Sequence, residues 1–178
     1  MIREPASRVR ALIASHMLGG VQPSRTLGRV DLHPHQIAGI ERLSRLLEAH
    51  GGADKAVCVY TGDHYAQWRH TPELASMGPG GFGENFTVHG ITEENACIGD
   101  LFRAGDLMLQ ISQPRQPCWK LARKWRIRDF ADRVIRAGRT GWYFRVLAEA
   151  RVSAGAELTL VERPFPAWTI GASNRVMH

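Results

Sequence analysis

The chain has 178 residues, 44% of them apolar and 22% charged, with a formal net charge of +6. Those proportions belong to an ordinary soluble globular protein, long enough to bury a good core and short enough for one domain or at most two. No segment approaches the roughly 20 consecutive apolar residues that span a bilayer, which excludes a transmembrane helix and any expectation of a membrane partner.

At the N-terminus Arg3, Arg8 and Arg10 surround only the short apolar run 11–15, too brief for a secretory signal. Glu4, Pro5 and the shortness of the segment also argue against a mitochondrial presequence, so a cytoplasmic location is expected. Residues 8–13 alternate, with Val9, Ala11 and Ile13 on one side, and read as a first strand; residues 27–32 offer a second. Then the period changes. Ile37, Ile40, Leu43, Leu46 and Leu47 recur at three- and four-residue steps, as in an amphipathic helix that Gly51 and Gly52 would end. Residues 56–60 form a short β-prone run and read as a buried strand. Asp63 is placed to cap a short helix through Trp68, and Thr71-Pro72-Glu73 reads as another helix start. Residues 77–83 hold four glycines and a proline and must be loop.

The centre of the chain is clearer. Residues 101–104 and 107–113 flank Gly105-Asp106 as a hairpin, with Leu107, Leu109 and Ile111 facing one way and Met108, Gln110 and Ser112 the other. Pro114 and Pro117 then forbid regular pairing. Helical periodicity follows in 119–125 and again in 127–137, with Gly138 as the stop. Residues 140–148 and 156–162 are final strands, joined by a turn at 153–155. Strands dominate and the helices are short, so the expected fold is β-rich α+β, a barrel or sandwich with helical insertions.

The three cysteines, Cys58, Cys97 and Cys118, form no CxxC pair, which speaks against a disulfide framework or a zinc site. Cys118 follows Ser-Gln-Pro-Arg-Gln-Pro and stands just before a predicted helix. There the helix dipole, with Arg115 and Lys120 nearby, would favour the thiolate, a nucleophile and a soft-metal ligand. The competing reading is a buried structural thiol, which is what most free cysteines are. Cys58, inside an apolar run, and Cys97, without a basic neighbour, read as structural.

Three further segments carry candidate chemistry. Gly80-Gly81-Phe82-Gly83-Glu84-Asn85 is neither a Walker loop nor a dinucleotide fingerprint; it is a plain connection or a place where backbone approaches a ligand, with Asn85 supplying an amide. His50-Gly51-Gly52-Ala53-Asp54-Lys55 puts an imidazole and an ammonium around a turn, while His33-Pro34-His35 lacks further metal ligands and receives no role. Arg139 and Thr140 sit at a helix-to-strand turn, suited to an anion or equally to a surface cap. Nine basic residues against Asp129 and Asp132 between positions 115 and 139 would attract a phosphorylated cofactor, an acidic partner or nucleic acid, unless they are simply a solvated face.

The ordered segments HGGADKAV (50–57), GGFGENFTVHGITEENACIGD (80–100), LQISQPRQPCWKL (109–121) and GRTGWYFRVL (138–147) resemble the MOSC (molybdenum cofactor sulfurase C-terminal) proteins of the bacterial YiiM type. The resemblance implies a β-barrel of mixed strands with short helices, occupying 1–178 as a single MOSC domain. It also implies the molybdenum cofactor, a Mo-bound molybdopterin, with the metal ligated by Cys118. The expected activity is two-electron reduction of N-hydroxylated compounds such as hydroxylaminopurine-like base analogues, with His50, Lys55 and Tyr60 as candidate acids. Asn85, Arg115, Arg139 and Thr140 are the candidates for holding cofactor or substrate. No flavin or iron–sulfur motif is visible, so electrons are expected from a separate reductase; nucleic acid is not the expected partner, and a homodimer is left open. Two rivals stand beside this reading: a persulfide carrier acting through Cys118, and a non-enzymatic carrier of the cofactor. Two departures are visible. Residues 39–46 lack the acidic and amide groups that the family carries before HGG. The sequence also stops at Asn174-Arg175-Val176-Met177-His178, where the family's three-helix region would begin, so that region is expected to be absent.

Overall fold

The computed structural model describes residues 25–31 and 52–177. The expected strand at 8–13, the expected helix at 37–47, the segment 39–46 and His50 all lie outside the described residues. Seven described strands close into a barrel: β1 (Arg25–Asp31), β2 (Val57–Thr61), β3 (Phe86–His89), β4 (Leu101–Ala104), β5 (Leu107–Pro114), β6 (Trp142–Ala148) and β7 (Glu157–Glu162). Their order around the barrel is β1-β3-β2-β6-β5-β4-β7, and β1 closes it by pairing with both β3 and β7. The β2/β3 pair is parallel and the others antiparallel, so this is the mixed barrel that the sequence leads one to expect.

Period-two alternation explains which side of each strand is buried. In β5 Leu107, Leu109 and Ile111 are buried while Met108, Gln110 and Ser112 are half-exposed. In β2 Val57 and Val59 enter the barrel core, and in β6 Trp142 and Phe144 do so with Phe86, Val88, Phe102 and Leu158. Each such side chain contributes roughly 1.5–3 kcal/mol by leaving water. The strand β5 runs one residue further than expected, to Pro114 opposite Trp142. A proline at the strand's last position loses only a donor that the ladder there no longer needs.

The helices are α1 (Tyr65–Trp68), α2 (Trp119–Trp125), α3 (Phe130–Arg136) and α4 (Ile170–Met177). Two expectations need correction. Asp63 does not cap a helix: Thr61 Oγ1 accepts its amide, and the Asp63 carboxylate instead accepts the Gly90 amide at 3.0 Å. The proline at 72 starts only a single 3-10 turn, Pro72–Leu74. The helix α4 was not anticipated.

A second core packs outside the barrel. Tyr60, Tyr65, Trp68, Leu74, Met77 and Phe82 meet Leu121, Ile127, Phe130 and Val134 of the α2–α3 region. Tyr60 and Phe82 stack at 3.7 Å between centroids. This cluster holds the glycine loop and α2 against the barrel and so shapes the space between them.

Candidate active site

That space is a cavity of about 330 Å³ lined by β2, the glycine loop, the 114–118 turn, α2 and β6. The strand wall comes first. Because Val57 and Val59 face the barrel core, Cys58 faces the opposite side, and its register neighbour Tyr143 does the same. Both line the cavity. Asn85 clips the two segments together: its Oδ1 accepts the Cys58 backbone N–H at 2.8 Å, and its backbone N–H donates to the Cys58 carbonyl at 2.7 Å. Burial pushes the Cys58 thiol above its ordinary range, against the pull of the Arg115 charge. Tyr143 is likewise raised, by burial and then by Cys58, so both remain protonated near neutral pH.

Arg115 is the centre of the site. It is 8% exposed and lines the cavity. Its amide donates to Gly141 O at 3.0 Å and its Nη2 to Phe82 O at 2.7 Å, while Nη1 is buried without a partner. Burial works against its charge, but the acidic groups around it, Cys58 and Tyr143 once ionised at high pH and then Glu84, outweigh it and hold the pKa above the ordinary value. A buried guanidinium with an open N–H is an arrangement that an anion completes.

The glycine loop is organised from below by Glu84, itself buried. Its carboxylate accepts Gly80 N–H at 2.7 Å, Phe82 N–H at 3.1 Å, Thr87 Oγ1 at 2.9 Å and the hydroxyl of Tyr65. With its amides turned inward, the loop turns carbonyls outward, to Lys124 Nζ from Gly80 (2.7 Å), Trp125 Nε1 from Gly81 (2.9 Å) and Arg115 from Phe82. Gly141 shows why a glycine is needed at the other side. It has φ +75°, and a Cβ there would lie 2.3 Å from Val59 O.

The helix wall is more open. Cys118 is exposed, lines the cavity and occupies the N-cap of α2 in extended backbone. Its carbonyl accepts Leu121 N–H at 3.1 Å, so Pro117 ends one segment and the cap begins the next. Lys120 and Lys124 line the same space, and Lys55 faces them from across it, 6.0 Å from the Tyr143 ring centroid.

The structure thus brings together Cys118, Lys55, Asn85 and Arg115. It does not bring in three others. Tyr60 is fully buried in the second core, where its hydroxyl accepts Trp68 Nε1 at 2.6 Å, which takes it off the cavity wall. Arg139 lies over the Trp68 ring at 5.8 Å, and Thr140 is buried, donating to Gly141 O and accepting from Asn174 Nδ2. Neither lines the cavity. Sequence reasoning missed Cys58, Tyr143, Lys120 and Lys124, although Cys58 and Tyr143 alternate with apolar residues that mark the other face of their strands.

Residues 47–159 match the model of the MOSC domain. The chain belongs to the MOSC domain family. It is 50% identical over 129 residues to the protein YflK of Bacillus subtilis, a match covering 71% of this chain and 57% of that one. It is also 40% identical over 131 residues to a protein of Gibberella moniliformis named a reductase, covering 72% of this chain but only 23% of that protein. The crystal structure of YiiM from Geobacillus stearothermophilus superposes with a TM-score of 0.66 at 43% identity, covering 71% of this chain and 65% of that one. These likenesses place the chain with the YiiM-type MOSC proteins, and it spans well under two thirds of those curated relatives. MOSC domains as a family are associated with binding the molybdenum cofactor. The residues here fit that group: the orphaned Nη1 of Arg115 and the surrounding lysines suit its phosphate, and the exposed Cys118 thiol suits its metal. No described helix is long and apolar enough to cross a membrane.

Proposed function

We propose that the protein is a molybdenum-cofactor-dependent reductase of N-hydroxylated compounds, acting on substrates such as hydroxylaminopurine-like base analogues. The observation that carries this reading is the buried Arg115 with an open Nη1, in the same cavity as an exposed cysteine at a helix cap. The printed name of the fungal relative, a reductase, supports it.

Arg115, Lys120 and Lys124 would hold the cofactor's phosphate, Asn85 would fix the strand and loop beneath it, and Cys118 would ligate the metal through sulfur. The bound cofactor supplies two-electron chemistry at an oxygen atom. The overall change is R–NHOH + 2e⁻ + 2H⁺ → R–NH₂ + H₂O, and the cavity's own residues manage its protons and orientation. Lys55 and Tyr143 both line the space, and burial holds the Tyr143 hydroxyl above its ordinary range, so these two side chains are the ones from which the departing oxygen would draw a proton. The Phe82 carbonyl takes up Arg115 Nη2 and leaves Nη1 without a protein partner, so an anionic group would meet a guanidinium whose orientation is already fixed.

The test is metal content by mass spectrometry of protein from a cofactor-competent host, with reduction of 6-hydroxylaminopurine driven by a small chemical reductant. Near-stoichiometric molybdenum in the wild type, lost in Cys118→Ser and Arg115→Met, supports the reading. Absence of metal from the wild type would falsify it and shift weight to a persulfide carrier.

A further inference from the structure

The cavity uses only part of the basic run that begins at Arg115. On α2 the cations fall on two neighbouring stripes. Lys120 and Lys124, four residues apart, line the cavity. Trp119 and Arg123, four residues apart, occupy the adjoining stripe, with Arg126 just beyond it at the left-handed C-cap of α2, and all three are exposed and outside the cavity lining. Trp119 is 62% exposed, more than Phe165 (53%) or Trp168 (51%), and the Arg123 guanidinium lies 5.9 Å from its ring centroid.

Charge along this stretch of the chain is of one sign up to Asp129. Residues 115–128 contain six cations and no Asp or Glu. The recorded ion pairs nearby are those of Arg133 and Arg136 with Asp129, which leaves Arg123, Arg126 and Arg128 without a described acidic partner. A solvated cation on a helix needs no explanation. An exposed tryptophan beneath an arginine, one residue from the cavity's exposed thiol, does. Tryptophan and arginine are the residues that anchor protein interfaces, and a ring of uncompensated positive charge selects an acidic partner and speeds its approach.

We propose that the stripe of Trp119 and Arg123, with Arg126 just beyond it, is the docking surface for an acidic one-electron carrier protein of the flavodoxin class, seated beside Cys118. The proposal rests on the reductase reading above. That reaction consumes two electrons per N–OH bond cleaved, and two reduced carriers becoming two oxidised carriers supply them while two protons go to the amine and water. A carrier seated on this stripe delivers its electrons within one helical turn of the thiol. Nucleic acid is the competing polyanion, but it gains nothing from seating beside the thiol.

The experiment drives 6-hydroxylaminopurine reduction by the cofactor-loaded protein with two reductants, an acidic flavodoxin and chemically reduced methyl viologen, which needs no docking. Raising salt from about 0.05 to about 0.3 M should slow the flavodoxin-driven rate about tenfold, because screening shortens the reach of the surface charges, and should change the viologen-driven rate less than about twofold. Trp119→Ala and the double variant Arg123→Glu/Arg126→Glu should each lower the flavodoxin-driven rate about tenfold or more while keeping metal content and viologen-driven rate within about twofold of wild type. Variants as fast as wild type with flavodoxin overturn the proposal, and so does a wild type that only viologen can drive. Loss of binding to a duplex oligonucleotide in the double variant, with flavodoxin turnover intact, assigns the stripe to nucleic acid instead. No turnover with viologen in metal-loaded protein is a different failure: it sinks the reductase reading, and the docking surface with it.

Discussion

The two walls of the cavity are built on opposite principles. On the strand side, Cys58, Asn85, Arg115 and Tyr143 are buried or half-buried, and several are tied through backbone atoms of β2, β6 and the glycine loop. On the helix side, Cys118, Lys120 and Lys124 are exposed and project from a seven-residue helix. Groups of the first kind cannot move without breaking hydrogen bonds, so under the proposed function they would set where an anion sits. Those of the second kind can be reached from outside, so under the same proposal they would be where chemistry and partners meet the site.

Substitutions can separate the walls. The largest effect should come from Gly141→Ala, which forces a Cβ against Val59 O at a left-handed φ. A loss of about 3 kcal/mol or more is expected in denaturant unfolding, through backbone strain and displacement of β2 from β6. Arg115→Met should cost about 1–3 kcal/mol by stranding Phe82 O and should abolish phosphate binding measured by calorimetry. Unchanged phosphate affinity would show that the strand wall does not recognise anions. Cys118→Ser belongs to the other wall: stability should move by less than about 0.5 kcal/mol because the side chain is exposed, while metal content falls at least about tenfold.

Thiol labelling offers a finer comparison. Iodoacetamide should modify exposed Cys118 first at neutral pH. Burial raises the Cys58 thiol, so its labelling should climb only as pH passes above the ordinary thiol value of about 8.5, followed by peptide mass spectrometry. Equal labelling of the two cysteines at neutral pH would erase the distinction between the walls. The smallest effect is expected from Tyr60→Phe: about 1 kcal/mol of stability, from the lost acceptor of Trp68 Nε1, with metal content and turnover within about twofold of wild type.

Much of this is legible in the amino-acid sequence alone. Alternation in 107–113 and the Gly105-Asp106 turn marked the hairpin, because a half-buried strand writes its period directly into the chain. The Pro-Arg-Gln-Pro-Cys segment marked Cys118, because two prolines before a helical period leave the cysteine at the cap. That Cys58 lines the cavity is not legible in the sequence, for a physical reason. Both faces of β2 are covered, one by the barrel core and the other by the cavity wall, so its apolar run hides which side chain faces the site. The arginines were indistinguishable as well. Arg115 and Arg139 both stand at turns between helix and strand, and the Phe82 carbonyl, 33 residues from Arg115 in the chain, is what draws one of them inward, while Trp68 holds the other aside.

By itself, then, the sequence determined the family, the order of strands and short helices along 101–162, and the cysteine at the α2 cap, because each is encoded in local periodicity or a contiguous motif. Tertiary structure decided which of the candidate groups share one cavity, that Tyr60, Arg139 and Thr140 stand outside it, and that Arg115, which lines it, keeps a buried Nη1 without a partner. Those outcomes depend on contacts between β2, β6, the glycine loop and α2, and long-range packing of that kind leaves no period in the chain for a reader to find.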